Sequence, residues 1–422
     1  MKKTSSLLFI ASILTIVAGC SDNNKVDDPD KDPEEIKIVD LGQDELANCY
    51  IVQSQGKYKF AAVNQFNLGE GLPIPPKISP VRAELVWQSS KGAIQDVEMV
   101  YEEGIPYVRF DVEKAEGNAV IAVYNEVNEI EWSWHIWMPK VNVYSLGSST
   151  GYEVMNLNLG ALTDNPGESE AYGMLYQWGR KDPFPASGTL TGTAQTVSAE
   201  VYDKDGNKVS FTNSSWTSVS DNTIEFAIAN PTVCLSNYAQ FSSSRDWLQA
   251  SMSDDSLWGN PKGDYLDTET FTYPNKGSKT CYDPSPAGWR VPPCDVFRDF
   301  TYSGGYAWDP GEFNIEDLNG DEFLDLNDYN YGWNFYVNPV TSVYFPAASR
   351  FDGSYGMLMG SMSGWWGNYW SNSPYSKIEG GGFCVLAFQV KDQSGNNIYS
   401  VSPAAGGSRA DAYSIRCIRD NP

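Results

Sequence analysis

The sequence predicts two folded parts, an all-β sandwich over residues 36–142 followed by an α+β domain over residues 143–422. Three observations carry this. Aromatic residues make up 14% of the chain, with 14 Trp and 25 Tyr, so a core is easily supplied. Gly 37 and Pro 24 provide many turns, and extended helical heptads are absent, which favours β-rich architecture. Short β-branched and aromatic runs dominate up to residue 142, whereas helix signals and long loops appear only beyond it.

The first twenty residues read as a leader. Lys2 and Lys3 form a basic start, Leu7 to Val17 is an apolar run, and Val17-Ala18-Gly19-Cys20 closes it with small residues. The run is shorter than the roughly 20 apolar residues of a membrane span. The small pair before a cysteine resembles the lipobox of bacterial lipoproteins. That resemblance implies a signal peptide over 1–20, lipidation at Cys20 and a location at the cell envelope as an outer-membrane, surface-exposed lipoprotein. Residues 21–35 are polar, acidic and punctuated by proline, so they cannot bury a core and read as a tether.

Within 36–142, strands are expected at Ala83 to Trp87, Tyr107 to Phe110, Ala119 to Val123 and Ile130 to Met138, separated by Gly104, Gly117 and Asn118. Period-two alternation in the last run places Trp132, Trp134, Ile136 and Met138 on one face and Ser133, His135 and Trp137 on the other. Six to eight such strands in about 105 residues suggest an immunoglobulin-like sandwich.

Residues 143–422 carry a helix signal across Pro166 to Arg180, with Asp164 or Asn165 as cap and Ala171, Leu175 and Trp178 on one face. A second helix is expected after Pro293 with Val296, Phe297 and Phe300 inward, and a short third over Ser244 to Met252. Ser187–Ser220 is a long Thr, Ser and Gly-rich loop, the kind of segment that often carries binding sites.

Ordered motifs then suggest a family. Ala47-Asn48-Cys49-Tyr50-Ile51-Val52, Gly56-Lys57-Tyr58-Lys59-Phe60 and Trp132-Ser133-Trp134-His135-Ile136-Trp137 resemble the N-terminal module of Bacteroidetes surface lipoproteins. Asn158-Leu159-Gly160-Ala161, Leu175 to Phe184, Tyr282-Asp283-Pro284-Ser285-Pro286-Ala287-Gly288-Trp289-Arg290-Val291-Pro292, Tyr344-Phe345-Pro346-Ala347-Ala348, Tyr369-Trp370-Ser371 and Ser414-Ile415-Arg416-Cys417-Ile418-Arg419 follow in order. Together they resemble the Fibrobacter succinogenes major paralogous domain, which is C-type-lectin-like and fimbrillin-associated. The resemblance implies a lectin-like α+β domain, surface display and adhesion-like binding. It departs at Ser285, where the Asp-Pro-x-Pro turn is expected to hold a cysteine. If a bridge to the terminal strand is kept, the resemblance implies Cys281–Cys417. The sugar-binding triplets of calcium-dependent lectins are absent, and a lectin-like fold does not imply a lectin-like site.

Charge and motif content bound the chemistry. A net charge of −25 disfavours nucleic acid, whose phosphates are held by Lys and Arg, and suits divalent cations. Asp317, Asn319, Asp321, the Phe323 carbonyl, Asp325 and Asp328 stand at positions 1, 3, 5, 7, 9 and 12 of a calcium-type loop, making Ca2+ the candidate ligand. Position 6 is Glu322 where such loops take Gly; the alternative is a solvated acidic loop. Trp365 and Trp366 are candidate stacking platforms for a sugar, while a core position is the alternative reading for Trp370. His135 is the single histidine, which leaves no multi-histidine metal site and one candidate for a histidine-dependent nucleophile. No phosphate loop, zincin helix or nucleophile elbow is present. The expected function is non-catalytic, adhesin-like binding of a glycan or a host or partner surface. The alternatives are a pilus anchor or tip, and an enzyme on a formylglycine-generating-enzyme-like fold, which would need Cys384 and Cys417 as its pair.

Overall fold

The computed structural model describes residues 37–192, 198–213, 222–235, 246–248, 254–259, 267, 273, 276–353, 356–374, 383–392 and 394–420. The leader, Cys20, the acidic tether and most of the Ser244 to Met252 helix expectation lie outside them. Among the described residues the chain is mostly β-sheet with few helices, and no helix is long and apolar enough to cross a membrane.

Eight strands build the N-terminal part: β1 (Ile38–Asp40), β2 (Cys49–Ile51), β3 (Gly56–Ala61), β4 (Arg82–Gln88), β5 (Ile94–Glu102), β6 (Ile105–Val112), β7 (Gly117–Tyr124) and β8 (Ile130–Met138). They form two four-stranded sheets, ordered β1-β3-β6-β5 and β2-β8-β7-β4. β1 runs parallel to β3 and β2 parallel to β8, whereas the other pairings are antiparallel. The strand runs read from β-branched residues therefore form where expected. Phe60 on one sheet meets Trp134 on the other with ring centroids 5.0 Å apart, which places the Trp134, Ile136 and Met138 face of β8 inside the sandwich.

The opposite face of β8 is equally dry. Ser133, His135 and Trp137 are all buried, because residues 157–182 cover them. The Trp137 indole N–H donates to the Ala161 carbonyl at 2.7 Å. Ser133 donates to Asp182, and the buried Lys181 ammonium reaches the Ser133 carbonyl at 3.1 Å and Asp182 at 2.8 Å. Just before β2, the Asn48 amide donates to the carbonyls of Cys281 and Asp283 at 2.7 and 2.9 Å and accepts the Trp132 indole N–H at 2.9 Å. One continuous apolar core thus runs from Cys49 and Trp134 to Trp178, Trp289 and Cys417, and residues 38–422 group as one compact unit.

The helix expected over 166–180 does not form. A 3-10 turn covers Ser169–Ala171, and Met174–Gln177 is a strand paired with Ala412–Tyr413. Gly173 decides this: its φ is +73°, and a Cβ there would lie 2.7 Å from the Leu159 carbonyl oxygen. A left-handed residue in such close contact cannot continue a right-handed helix. The helix expected after Pro293 is present as a 3-10 helix, Cys294–Phe300, with Val296, Phe297 and Phe300 buried as read. Phe300 stacks on Phe335 at 4.4 Å within a second core.

The rest of the C-terminal region is built from small sheets. The terminal strand Ile418–Arg419 sits between Trp289–Arg290 and Glu153–Met155, bringing both ends of this region into one sheet. A hairpin joins Gly332–Asn338 to Thr341–Pro346. Strands Trp366–Pro374, Phe383–Lys391 and Asn397–Gly407 form a three-stranded antiparallel sheet.

Candidate functional site

Alternation along that three-stranded sheet separates two unlike faces. Tyr369, Leu386, Phe388 and Val401 point into the second core. The other face carries three rows set by strand register. Trp366 pairs with Gln389 and Gln389 with Ser400; Asn368 pairs with Ala387 and Ala387 with Ser402; Trp370 pairs with Val385 and Val385 with Ala405. The third row is apolar, and Trp370 is fully buried there, its indole N–H donating to the Tyr176 carbonyl at 2.6 Å. The first two rows carry Asn368, Gln389, Ser400 and Ser402 beside Trp366 and Ala387, and with Val385 and Ala405 of the third they floor an open cavity of about 230 Å³.

Two further elements wall this cavity. Backbone bonds between Ala307 and Val401 (2.9 and 3.0 Å) hold the 302–308 loop against the last strand, so Tyr306 lines the rim. Tyr306 and Trp308 contact each other with centroids 4.5 Å apart and remain 47% and 59% exposed, which is unusual for side chains of that size. Arg350 enters from the other side, its guanidinium 5.5 Å from the Trp366 ring and donating to Asp352 at 3.0 Å. The Trp366 indole N–H is committed to the Lys391 carbonyl at 2.7 Å, which fixes the ring at the mouth of the cavity. Asn368 Nδ2 and Arg350 Nε are buried donors without a hydrogen-bond partner among the described residues. Of these side chains only Trp366 was singled out from sequence. Polar alternation at Asn368, Gln389, Ser400 and Ser402 was the available signal, but three separate strands had to be put in register to make it a surface.

The remaining sequence-derived sites are placed as follows. Trp365 is half-buried, packs against the second core and lies under the Lys391 ammonium at 4.8 Å, outside the cavity lining. In the acidic loop, Asp317 accepts backbone N–H groups from Gly320 (2.7 Å) and Glu322 (2.9 Å), and Asn319 accepts from Asp321 (2.8 Å). Asp321 accepts from Phe323, Asp325 from Asn327, and the buried Asp328 from Leu318 and Asp325. Glu322 takes the left-handed turn at φ 68° that glycine would take more cheaply, and the Phe323 side chain is exposed. No group of three or more His, Cys, Asp or Glu side chains placed to hold a metal ion occurs among the described residues.

The Cys281–Cys417 bridge implied by the resemblance is not made. Both are free, buried thiols. The Cys281 thiol faces the Pro73 carbonyl at 3.5 Å, whereas Cys417 lies 3.2 Å from the Ser285 hydroxyl. The terminal strand therefore meets the Asp-Pro-x-Pro turn at the serine, not at the upstream cysteine. Asp283 shapes that turn by accepting the Ser285 and Val291 N–H groups at 2.8 and 3.0 Å.

His135 sits in a closed cluster. Asn118 donates through Nδ2 to the Gly160 carbonyl at 2.9 Å, which turns its Oδ1 toward His135 Nε2 at 2.9 Å. His135 Nε2 must then carry the proton, leaving Nδ1 to accept from Tyr176 (3.2 Å) and from the Cys49 thiol (3.5 Å). The Cys–His–Asn order matches a cysteine nucleophile with its base and orienting amide. Burial, however, drives the Cys49 pKa up and lowers that of His135 to about 3, so the neutral pair is favoured over thiolate and imidazolium. Both side chains are closed off from solvent. The cluster holds β2, β7 and β8 to the 157–177 segment. It also predicts a pH dependence. Between about pH 6.5 and 3 the unfolded chain binds a proton that folded His135 refuses, so its contribution is complete above about 6.5 and falls as the medium is acidified. Stability is expected to drop by up to about 1.4 kcal/mol per pH unit in that window from this group. Denaturant titrations at stepped pH should show a shallower slope for His135→Gln; an unchanged slope would remove His135 from the account.

No family model, curated protein or solved structure matches the chain.

Proposed function

We propose that this chain is a lipid-anchored outer-membrane surface protein whose C-terminal region binds a glycan without catalysis, at the cavity on the three-stranded sheet. The observation that carries the reading is the combination at that cavity: an indole fixed at its mouth, exposed Tyr306 in its lining, and buried amide and guanidinium donors with no partner among the described residues. Sugars offer an apolar ring face for stacking and a ring of hydroxyls for hydrogen bonds, and this site presents both kinds of partner. Anchoring through Cys20 and the acidic tether of 21–35 would hold such a site away from the membrane, in keeping with adhesion to a host or partner surface. The C-type-lectin-like reading of residues 143–422 belongs to the same proposal. It is supported by the meeting of Cys417 with Ser285, the position where the family's turn is expected to carry a cysteine.

The test is a glycan array probed with the mature chain, with calcium and with a chelator, followed by tryptophan-fluorescence titration of any hit. Trp366→Ala is expected to weaken binding at least tenfold, because one side chain supplies the stacking surface and orders the mouth. A signal seen only with calcium would assign binding to the 317–328 loop and not to the cavity. No binding in either condition would overturn the glycan reading.

A further inference from the structure

Resting on the glycan reading above, we propose that the cavity selects a neutral, hydroxyl-rich sugar ring and that the Asn368 amide is its central recognition group. The electrostatics of the lining come first. Arg350 is the only full cation among the lining residues, and it already faces carboxylates. Its Nη2 donates to Asp352 at 3.0 Å, and Asp411 lies behind, accepting the Gly353 N–H at 2.7 Å and the Tyr413 hydroxyl at 2.6 Å. An acidic sugar would meet one guanidinium balanced by two nearby carboxyl groups, on a protein of net charge −25. Anion recognition works through cations that the protein has left uncompensated, and none lines this cavity.

Hydrogen-bonding capacity points the same way. Asn368 is only 8% exposed, lies in the cavity floor and has an unpartnered Nδ2. A buried donor left unmade is costly to the folded state, and a ligand oxygen that completes it regains that cost on binding. Around it, Gln389, Ser400 and Ser402 make no side-chain hydrogen bond to any described residue, so one amide and two hydroxyls stay open for a ligand. Each can donate and accept, as can every hydroxyl of a sugar. Arg350 Nε adds one further unpartnered donor. Aromatic surface is added by Trp366, in the same row as Gln389 and Ser400, and by Tyr306 from the 302–308 loop. At about 230 Å³ the cavity is smaller than the roughly 300–1,000 Å³ of sites for drug-sized ligands, so it fits one ring unit and not a buried chain.

The experiment uses the full mature chain with methyl glycosides of glucose, galactose, mannose and N-acetylglucosamine as neutral probes. Glucuronate, galacturonate and N-acetylneuraminate serve as the acidic counterparts. Binding is read by saturation-transfer NMR and tryptophan fluorescence, and stability by thermal melting. At least one neutral probe is expected to bind at least tenfold more tightly than its acidic counterpart. Asn368→Ala is expected to weaken that probe tenfold or more while leaving the melting temperature equal or higher, since it deletes an unsatisfied buried donor. Tighter binding of the acidic probes would overturn neutral selection and leave the glycan reading intact. Binding of neither class would overturn both. Unchanged affinity in Asn368→Ala, or a lower melting temperature in that variant, would make the amide a structural group and overturn its assignment.

Discussion

Replacing Arg416 with methionine is expected to cost about 3–5 kcal/mol of unfolding free energy, since several buried acceptors lose their donor at about 1–3 kcal/mol each. Arg416 is 1% exposed and makes no salt bridge among the described residues. Its charge is solvated by backbone and amide oxygens. Nε donates to Asn158 Oδ1 at 3.0 Å, Nη1 to the carbonyls of Met155 (3.2 Å) and Asn156, and Nη2 to the Tyr344 carbonyl at 2.6 Å. The guanidinium also lies 4.2 Å from the Phe345 ring centroid. Burial lowers its pKa to about 10, far enough above neutrality that it stays charged. One side chain therefore ties three segments together: the terminal strand region, residues 155–158 and the hairpin strand Thr341–Pro346. Methionine fills much of the volume but leaves those oxygens unpaired in a dry interior, which is the expensive half of a hydrogen bond. Arg416→Lys should retain the charge yet lose the planar fork that spans the acceptors, and a smaller loss of about 2–3 kcal/mol is expected. Guanidinium chloride denaturation reads both variants. A midpoint for Arg416→Met within error of the parent would show that these oxygens find other partners.

The second large effect has the opposite sign. Ser285→Cys is expected to form a disulfide with Cys417 and to raise stability by about 2–4 kcal/mol under oxidising conditions. Cys417 Sγ already lies 3.2 Å from the atom that would become sulfur, with both residues fully buried. The two positions are 132 residues apart, and closing so long a loop removes much conformational freedom from the unfolded chain. In the parent protein, burial pushes the Cys417 thiol up to about 12, so little thiolate is present for exchange while the fold is closed. The bridge should therefore form during folding and resist reductant until the chain opens. Thiol counting on the denatured variant, with and without reductant, gives the first readout, and the shift in denaturation midpoint the second. Two titratable thiols at positions 285 and 417 after oxidative refolding would rule the bridge out.

Local readings and tertiary outcomes part company at identifiable residues. Strands β4, β6, β7 and β8 were legible because β-branched and aromatic runs suit a pleated, buried surface whatever surrounds them. The apolar stripe from Ala171 to Trp178 misled because it is compatible with either period, and Gly173 is a neutral residue until the Leu159 carbonyl is placed against it. Ser133, His135 and Trp137 read as an ambiguous second face of β8. The segment that buries them lies 20 to 50 positions downstream, and nothing in the strand itself names it. Similarly, the family resemblance implied Cys281 as the partner of Cys417; the turn nevertheless presents Ser285.

The amino-acid sequence by itself determined the β-rich character, the acidic balance of charge, the positions of β4, β6, β7 and β8, and Trp365 and Trp366 as candidate contacts. These follow from composition and from the two-residue period, which are properties of neighbours along the chain. Only the tertiary structure decided which side chains share the cavity. Trp366, Gln389 and Ser400 stand in one row because two antiparallel registers align them, and Tyr306 and Arg350 arrive on separate loops. Register and loop placement arise from packing across the whole core, so the binding surface exists only once the chain has folded.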